Sequence, residues 1–154
     1  NDYLAGHWAS VEAGATEAGL EADRNRWRVA RDIYIADTDR EAWKRTVDGM
    51  IGDHYREYFL PMFKEFGMIE ACKHHPDVAD SEVTVEYLAE HCWIIGSPQT
   101  VERKIEEMID PSGGFGCLLA ISYDHLDDMT GWRESKLALA HEIMPKFSNP
   151  VASA

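Results

Sequence analysis

Two segments of the chain have the pattern of β-strands that are apolar on both faces. In residues 28–36, apolar side chains occupy both alternating sets of positions: Val29, Ile33 and Ile35 on one face, and Ala30, Tyr34 and Ala36 on the other. Residues 115–123 are apolar almost throughout. Strands of this kind are typical of a parallel sheet that helices cover on both sides. The need to cover both faces of these strands constrains the fold more than any other feature of the sequence.

Helical periodicity predicts four longer helices around these strands. Apolar residues at steps of three or four indicate helices over 4–24, 39–60, 98–109 and 131–147. Thr38 with Glu41 is a capping-box pattern, and Ser97-Pro98 is a helix-start pattern. We place Tyr58 on the buried side of the second helix and expect Pro61 to end or bend that helix.

The order of these elements predicts an α/β fold. Strands separated by helices imply right-handed crossovers and a parallel sheet. Two strands that are buried on both faces cannot cover each other, so the sheet needs more strands. A (β/α)8 TIM barrel takes about 250 residues, so this chain of 154 residues would supply roughly its last two units. The alternative is a small self-sufficient α/β domain, and the periodicity alone does not choose between them.

The remaining sequence features narrow the choice of compartment and partners. The formal net charge of −13 disfavours nucleic acid and anionic lipid as partners. No apolar run approaches the roughly 20 residues of a membrane span, and no secretory signal is visible. Three widely spaced cysteines favour reduced thiols and a cytoplasmic location. Residues 66–81 are irregular and polar, and we expect a mobile loop there.

The C-terminal third contains the most specific local patterns. Trp93-Ile94-Ile95-Gly96-Ser97-Pro98 is followed by Ser112-Gly113-Gly114-Phe115-Gly116 and then by Met144-Pro145-Lys146-Phe147. These residues resemble the C-terminal part of bacterial luciferase-like, flavin-dependent monooxygenases of the limonene monooxygenase type. The resemblance covers most of residues 5–148. One departure follows the last strand, where the limonene-type pattern has Asp-Trp-Ala and this chain has Asp124-His125-Leu126.

This resemblance implies a TIM barrel that uses reduced FMN and O₂ to oxygenate a small apolar or carbonyl substrate, with the reduced FMN supplied by a separate flavin reductase. The protein would position the flavin and exclude water from it. The alternative is a non-catalytic, truncated relative that acts as a binding or dimerisation module. In both cases the missing strands come from an N-terminal part of the same chain or from another copy in a homo-oligomer. We expect the segment alone to be inactive and to bind no flavin.

Active sites of such barrels lie at the C-terminal ends of the strands. This rule, with Trp8 added from the first helix, selects a candidate pocket of five residues: Trp8, Tyr34, Asp37, Tyr123 and Asp124. The alternative roles are core packing for the aromatic residues and loop capping for the acids. Catalytic and flavin-contacting residues are not assigned, because the resemblance places most flavin contacts in the missing region.

Two further groups of polar residues need an explanation. Arg31 and Asp32 are unusual inside a strand, and we expect an inter-strand salt bridge there. His74, His75, His91 and Cys92 suggest zinc, but adjacent pairs lack the usual spaced ligand pattern. No metal site is therefore predicted.

Overall fold

Helices alternate with three short strands along residues 2–147, which are the residues that the computed structural model describes. The strands are β1 (Arg28–Ile35), β2 (Ile94–Gly96) and β3 (Cys117–Ile121). The helices are α1 (Asp2–Glu17), α2 (Asp39–Thr46), α3 (Met50–His54), α4 (Leu60–Glu65), α5 (Val85–His91), α6 (Pro98–Ser112), α7 (Met129–Ala138) and α8 (Met144–Phe147). None of the helices in this range is long and apolar enough to cross a bilayer.

The three strands form one parallel sheet in the order β2-β1-β3. Residues 28–32 of β1 pair with β3, and residues 33–35 pair with β2 on the opposite edge. The sequence predicted two strands, so β2 is a correction. A strand of three residues is too short to show a period of two.

Each face of β1 packs into a separate apolar cluster. Val29, Ile33 and Ile35 define the Val29 face, which is covered by residues of α1, α6 and the segment before α8: Leu4, Val101, Ile105, Met108 and Ile143. Asp32 and Tyr34 define the Tyr34 face, which is covered by residues from 42 to 93, including Val47, Ile51, Leu60, Leu88 and Trp93. The expectation that β1 is covered on both sides is met at its carboxyl half.

The burial expected for β3 is wrong. Leu119 is 45% exposed and Ile121 is 38% exposed, and both lie on the Tyr34 face because their partners in the register are Ala30 and Asp32. Within residues 2–147, β3 pairs with β1 alone, so its other edge has no strand beside it. The strand is also shorter than the expected 115–123. An apolar strand with an open face and an open edge lacks its neighbours.

The first helix ends earlier than its expected boundary at residue 24. Gly19 adopts φ +68°, and the N–H of Leu20 donates to the carbonyl of Ala15 across the end of α1. This is the geometry of a glycine C-cap, which stops the helix at Glu17. Similarly, α6 continues past the expected residue 109 to Ser112, where Gly113 at φ +70° ends it.

The helices expected over 39–60 and 131–147 are each interrupted. The first breaks at residues 47–49, resumes as α3, and passes through a π turn (Tyr55–Phe59) into α4. The second runs from α7 through a π turn (Leu139–Ile143) into α8. A proline follows each turn by two residues, at Pro61 and Pro145.

These π turns explain why Pro61 does not end the helix, which was one of the two outcomes that we expected. In a regular helix the proline ring would collide with the carbonyl four residues back. The N–H of Leu60 instead donates to Tyr55, five residues back, which opens the helix at that point. The wider turn also shifts the helical phase. Tyr58, which was expected on the buried side, is 55% exposed, and Leu60 is buried instead.

Residues 66–81, expected to be a mobile loop, are anchored to the core. Ile69 and Cys72 are buried in the Tyr34-face cluster. The buried Lys73 ammonium lies 2.6 Å from Glu70 and 2.7 Å from Asp80. Short 3₁₀ turns at 69–72 and 80–82 supply the backbone structure. The polar composition of this segment therefore misled the loop prediction, because Lys73 is paired with Glu70 and Asp80.

Candidate active site

The carboxyl ends of β1 and β3 bring together aromatic side chains from distant parts of the chain. Tyr34 is the penultimate residue of β1, and Tyr123 and His125 follow β3. The His125 ring centroid lies 6.0 Å from that of Tyr34 and 6.3 Å from that of Tyr123. Parallel strands end at the same edge of a sheet, which is why these residues meet.

Tyr34 is fixed by a network of charged groups. Its hydroxyl donates to Oδ2 of Asp128 over 3.0 Å, and Nη1 of Arg45 donates to the same oxygen over 3.3 Å. Arg45 also binds Glu41, one turn earlier on α2, at 2.5 Å. Burial raises the pKa of Tyr34 to about 12, so this hydroxyl is a donor at neutral pH.

Asp128 also begins α7, because its Oδ1 accepts from the N–H of Gly131 at 3.1 Å. One carboxylate thus caps a helix and orients a tyrosine and an arginine. A Cβ on Gly131 would overlap Nη1 of Arg45 and Oδ2 of Asp128, and would lie 2.6 Å from the Tyr34 hydroxyl. A side chain at position 131 would therefore displace the ends of these three side chains.

Asp32 forms a second buried network on the Tyr34 face. Its Oδ1 accepts from the Tyr123 hydroxyl at 2.5 Å, and its Oδ2 accepts from the Tyr55 hydroxyl at 2.8 Å. Both carboxylate oxygens are bound by tyrosines, where we expected a salt bridge between strands. Burial raises the pKa of Asp32, although the two hydroxyl donors oppose the shift. Burial and the adjacent Asp32 charge raise the pKa of Tyr123.

An open cleft of about 1010 Å³ lies at this edge of the sheet. One wall is formed by α2, α3 and the π turn, with Met50, His54 and Tyr58, and the other is formed by His125 and the loop to Asp128. Its acidic lining residues are Glu41, Asp48, Asp53, Glu57, Asp127 and Asp128. Its permanent cations are Lys44 and Arg45. The cleft is of ligand-binding size, with flat ring surfaces and a predominantly acidic rim.

The five candidate residues do not all meet. Tyr34 and Tyr123 do not line the cleft themselves. Tyr34 contacts Asp128 and Tyr123 contacts His125, and both of these partners line it. Asp37 and Asp124 are exposed, and the caps of the following helices come from Thr38 and Asp128 instead. Trp8 lies at the opposite end of the sheet. Its ring is 5.3 Å from that of Trp27, just before β1, and the Arg24 guanidinium lies 4.2 Å above it.

Sequence reasoning missed Arg45, Asp128 and His125. Arg45 and Asp128 are separated by 83 positions, and nothing in the sequence indicates their contact. His125 was visible as the departure from the limonene-type Asp-Trp-Ala pattern, but it was not included in the candidate pocket. His74 and His91, considered for zinc, stack at 4.2 Å. The described residues contain no group of three His, Cys, Asp or Glu that could hold a metal ion.

No family model matches the chain. It is 37% identical over 148 residues to 2,5-diketocamphane 1,2-monooxygenase 1 of Pseudomonas putida, and 25% identical over 149 residues to limonene 1,2-monooxygenase of Rhodococcus erythropolis. The match to the former covers 95% of this chain but 41% of that relative.

A solved structure is similar over the same range. It is the oxygenating constituent of 3,6-diketocamphane monooxygenase from Pseudomonas putida, a type II Baeyer–Villiger monooxygenase in complex with FMN. The TM-score is 0.84 at 32% sequence identity, over 97% of this chain and 41% of that structure. The chain therefore spans about two fifths of the length of the relatives it matches.

Proposed function

We propose that the chain is the C-terminal portion of a luciferase-like, flavin-dependent monooxygenase that uses reduced FMN and O₂ to oxygenate a small ketone. The observation that carries this proposal is the match to a Baeyer–Villiger monooxygenase solved with FMN, which extends over 97% of the chain. A flavin reductase would supply the reduced cofactor. Since the match covers 41% of that structure, the activity is proposed for a longer protein.

The open side of the sheet supports an incomplete (β/α)8 barrel. β1 and β3 pair directly and would be consecutive barrel strands, whereas β2 pairs only with the last residues of β1 and would belong to the connection between them. Leu119 and Ile121, which are exposed here, would then be covered by other parts of the longer protein. The N-terminal part of the same chain is the proposed source of those strands.

A leucine pair tests the barrel proposal. Leu119 on β3 and Leu137 on α7 are similarly exposed here, at 45% and 46%. In the protein at its full encoded length, we expect Leu119→Asn to lower the free energy of unfolding by about 2–4 kcal/mol, because Leu119 becomes buried. Leu137→Asn should change it by less than about 0.5 kcal/mol. Denaturant unfolding measures both, and equal small effects would contradict the barrel.

The residues described here fit FMN only in part. The ring surfaces of His54, Tyr58 and His125 could face a flat group, but the cleft has no fitting place for a phosphate dianion. Its acidic residues outnumber Lys44 and Arg45, and Arg45 is already bound to Glu41 and Asp128. We therefore assign the phosphate to the part of the longer protein outside this segment.

This assignment makes a binding prediction. We expect the full-length protein to bind reduced FMN in a one-to-one complex under anaerobic titration, and the 154-residue segment to show no saturable binding. Tight binding by the segment alone would show that the phosphate site lies within it. The alternative, a non-catalytic binding module, predicts no binding by either protein.

The proposed reaction is tested directly with the full-length protein, a flavin reductase and 2,5-diketocamphane, a ketone taken from the name of a relative. With isotopically labelled O₂, the product should contain one labelled oxygen atom. Consumption of reduced flavin without any labelled organic product would refute the monooxygenase assignment.

A further inference from the structure

From the geometry around His125, and building on the proposed function, we infer that this side chain is a ligand-binding residue whose ring nitrogen donates a hydrogen bond to the carbonyl oxygen of a ketone in the cleft. His125 lines the cleft and is 6% exposed. Its ring faces three aromatic neighbours, Tyr34, Tyr123 and Trp132, with centroids 6.0, 6.3 and 6.4 Å away. A side chain that is nine-tenths buried and held in this way has a fixed orientation.

The hydrogen-bonding capacity of this ring is not used by the part of the protein that the structure describes. The backbone carbonyl of His125 accepts from the N–H of Asp128. Its imidazole nitrogens have no hydrogen-bond partner in residues 2–147, and neither is fully enclosed. Both therefore keep some accessible surface, on a residue that lines the cleft. Buried polar groups normally have partners, so a free one that faces a cleft indicates a ligand.

The charge state of His125 favours a neutral carbonyl group over an anion. Burial, together with the nearby Lys136 charge, lowers the pKa of His125, while Asp124 and Asp128 oppose this shift less strongly. A neutral imidazole has one N–H donor. The acidic rim of the cleft also disfavours anionic ligands. A ketone needs one donor and carries no charge, so it fits this site.

The position also explains the departure at Asp124-His125-Leu126. Histidine is smaller than tryptophan and has one donor and one acceptor nitrogen in place of the single indole donor. We infer that the exchange changes which polar groups a ligand can match at this position.

The test compares two ligands of nearly the same shape in the full-length protein with oxidised FMN present. 2,5-Diketocamphane has the carbonyl groups, and camphane is the corresponding hydrocarbon without them. We expect His125→Phe to weaken ketone binding about tenfold, which is the effect of losing one good hydrogen bond. Camphane binding should change less than twofold. Competition against a fluorescent reporter for the cleft measures both ligands without turnover.

Two more variants separate hydrogen bonding from packing. His125→Asn, which keeps an N–H donor, should recover part of the preference for the ketone, and His141→Phe, on an exposed helical position, should leave binding unchanged. If His125→Phe weakens both ligands equally, the ring has only a structural role and the inference is wrong. If it weakens neither, the inference is also wrong.

This test does not depend on the success of the monooxygenase proposal. A protein that discriminates the ketone through His125 but incorporates no oxygen would keep this binding residue and lose the proposed reaction. A protein that oxygenates the ketone with an unchanged KM in His125→Phe would keep the reaction and lose the inference.

Discussion

Replacing Gly116 by alanine is expected to lower the free energy of unfolding by at least about 2 kcal/mol. Gly116 enters β3, and its N–H donates to the carbonyl of Trp27. A Cβ at this position would overlap the backbone carbonyl of Asn25, which cannot turn aside as a side chain can. The strand would have to separate from the segment before β1. Denaturant unfolding of the full-length variant measures the loss.

The matched control for this prediction is Gly14→Ala. Gly14 lies on the exposed part of α1 and has open space around its would-be Cβ. Alanine there should stabilise the helix by up to about 1 kcal/mol. If both alanine variants have similar stabilities, the close approach at Gly116 is not significant.

Removing the Asp32 carboxylate is expected to have the second large effect. Asp32→Ala leaves the hydroxyls of Tyr55 and Tyr123 without their acceptor in a buried environment, which costs about 2–4 kcal/mol. Asp32→Asn retains one carbonyl acceptor and an amide that can donate to the other tyrosine, so its effect should be smaller. Equal losses for alanine and asparagine would show that the hydrogen bonds to the tyrosines contribute little.

The stabilities of the wild type and of Asp32→Asn should depend differently on pH. Burial raises the pKa of Asp32 in the folded state, so the native protein holds this proton more tightly than the unfolded chain does. Its contribution to stability is therefore greatest below the unfolded pKa of about 4 and is lost as pH rises through the native pKa. Unfolding curves between pH 4 and 8 should show wild type losing stability relative to Asp32→Asn. The opposite trend would mean that the two tyrosines outweigh burial.

The sequence predicts regular elements well where periodicity and turn chemistry agree. β1 was expected at 28–36 and lies at Arg28–Ile35. The prediction succeeded because apolar residues recur at alternate positions on each face of the strand. The glycines of the Ser-Gly-Gly-Phe-Gly turn also have physical reasons. Gly113 and Gly114 adopt positive φ, and Gly116 allows the close approach to Asn25.

The rest depends on contacts that local patterns do not encode. The extra residue of a π turn shifts the buried face of the helix towards later positions, which is why Leu60 is buried and Tyr58 is exposed. The acidic residue at position 128 was not singled out because its partners, Tyr34 and Arg45, are more than 80 residues away. The apolar composition of β3 predicted burial, but burial needs neighbours that this segment does not contain.

Each π turn couples the effects of two neighbouring sequence changes. Each turn holds one more residue than a regular helix needs, and each precedes a proline that a regular helix would reject. Deleting a residue from 55–59 while Pro61 remains would drive the ring into a carbonyl, and inserting the proline without the extra residue would do the same. The extra residue of the π turn and the proline that follows it are therefore epistatic. A relative that lacks one of them should lack the other.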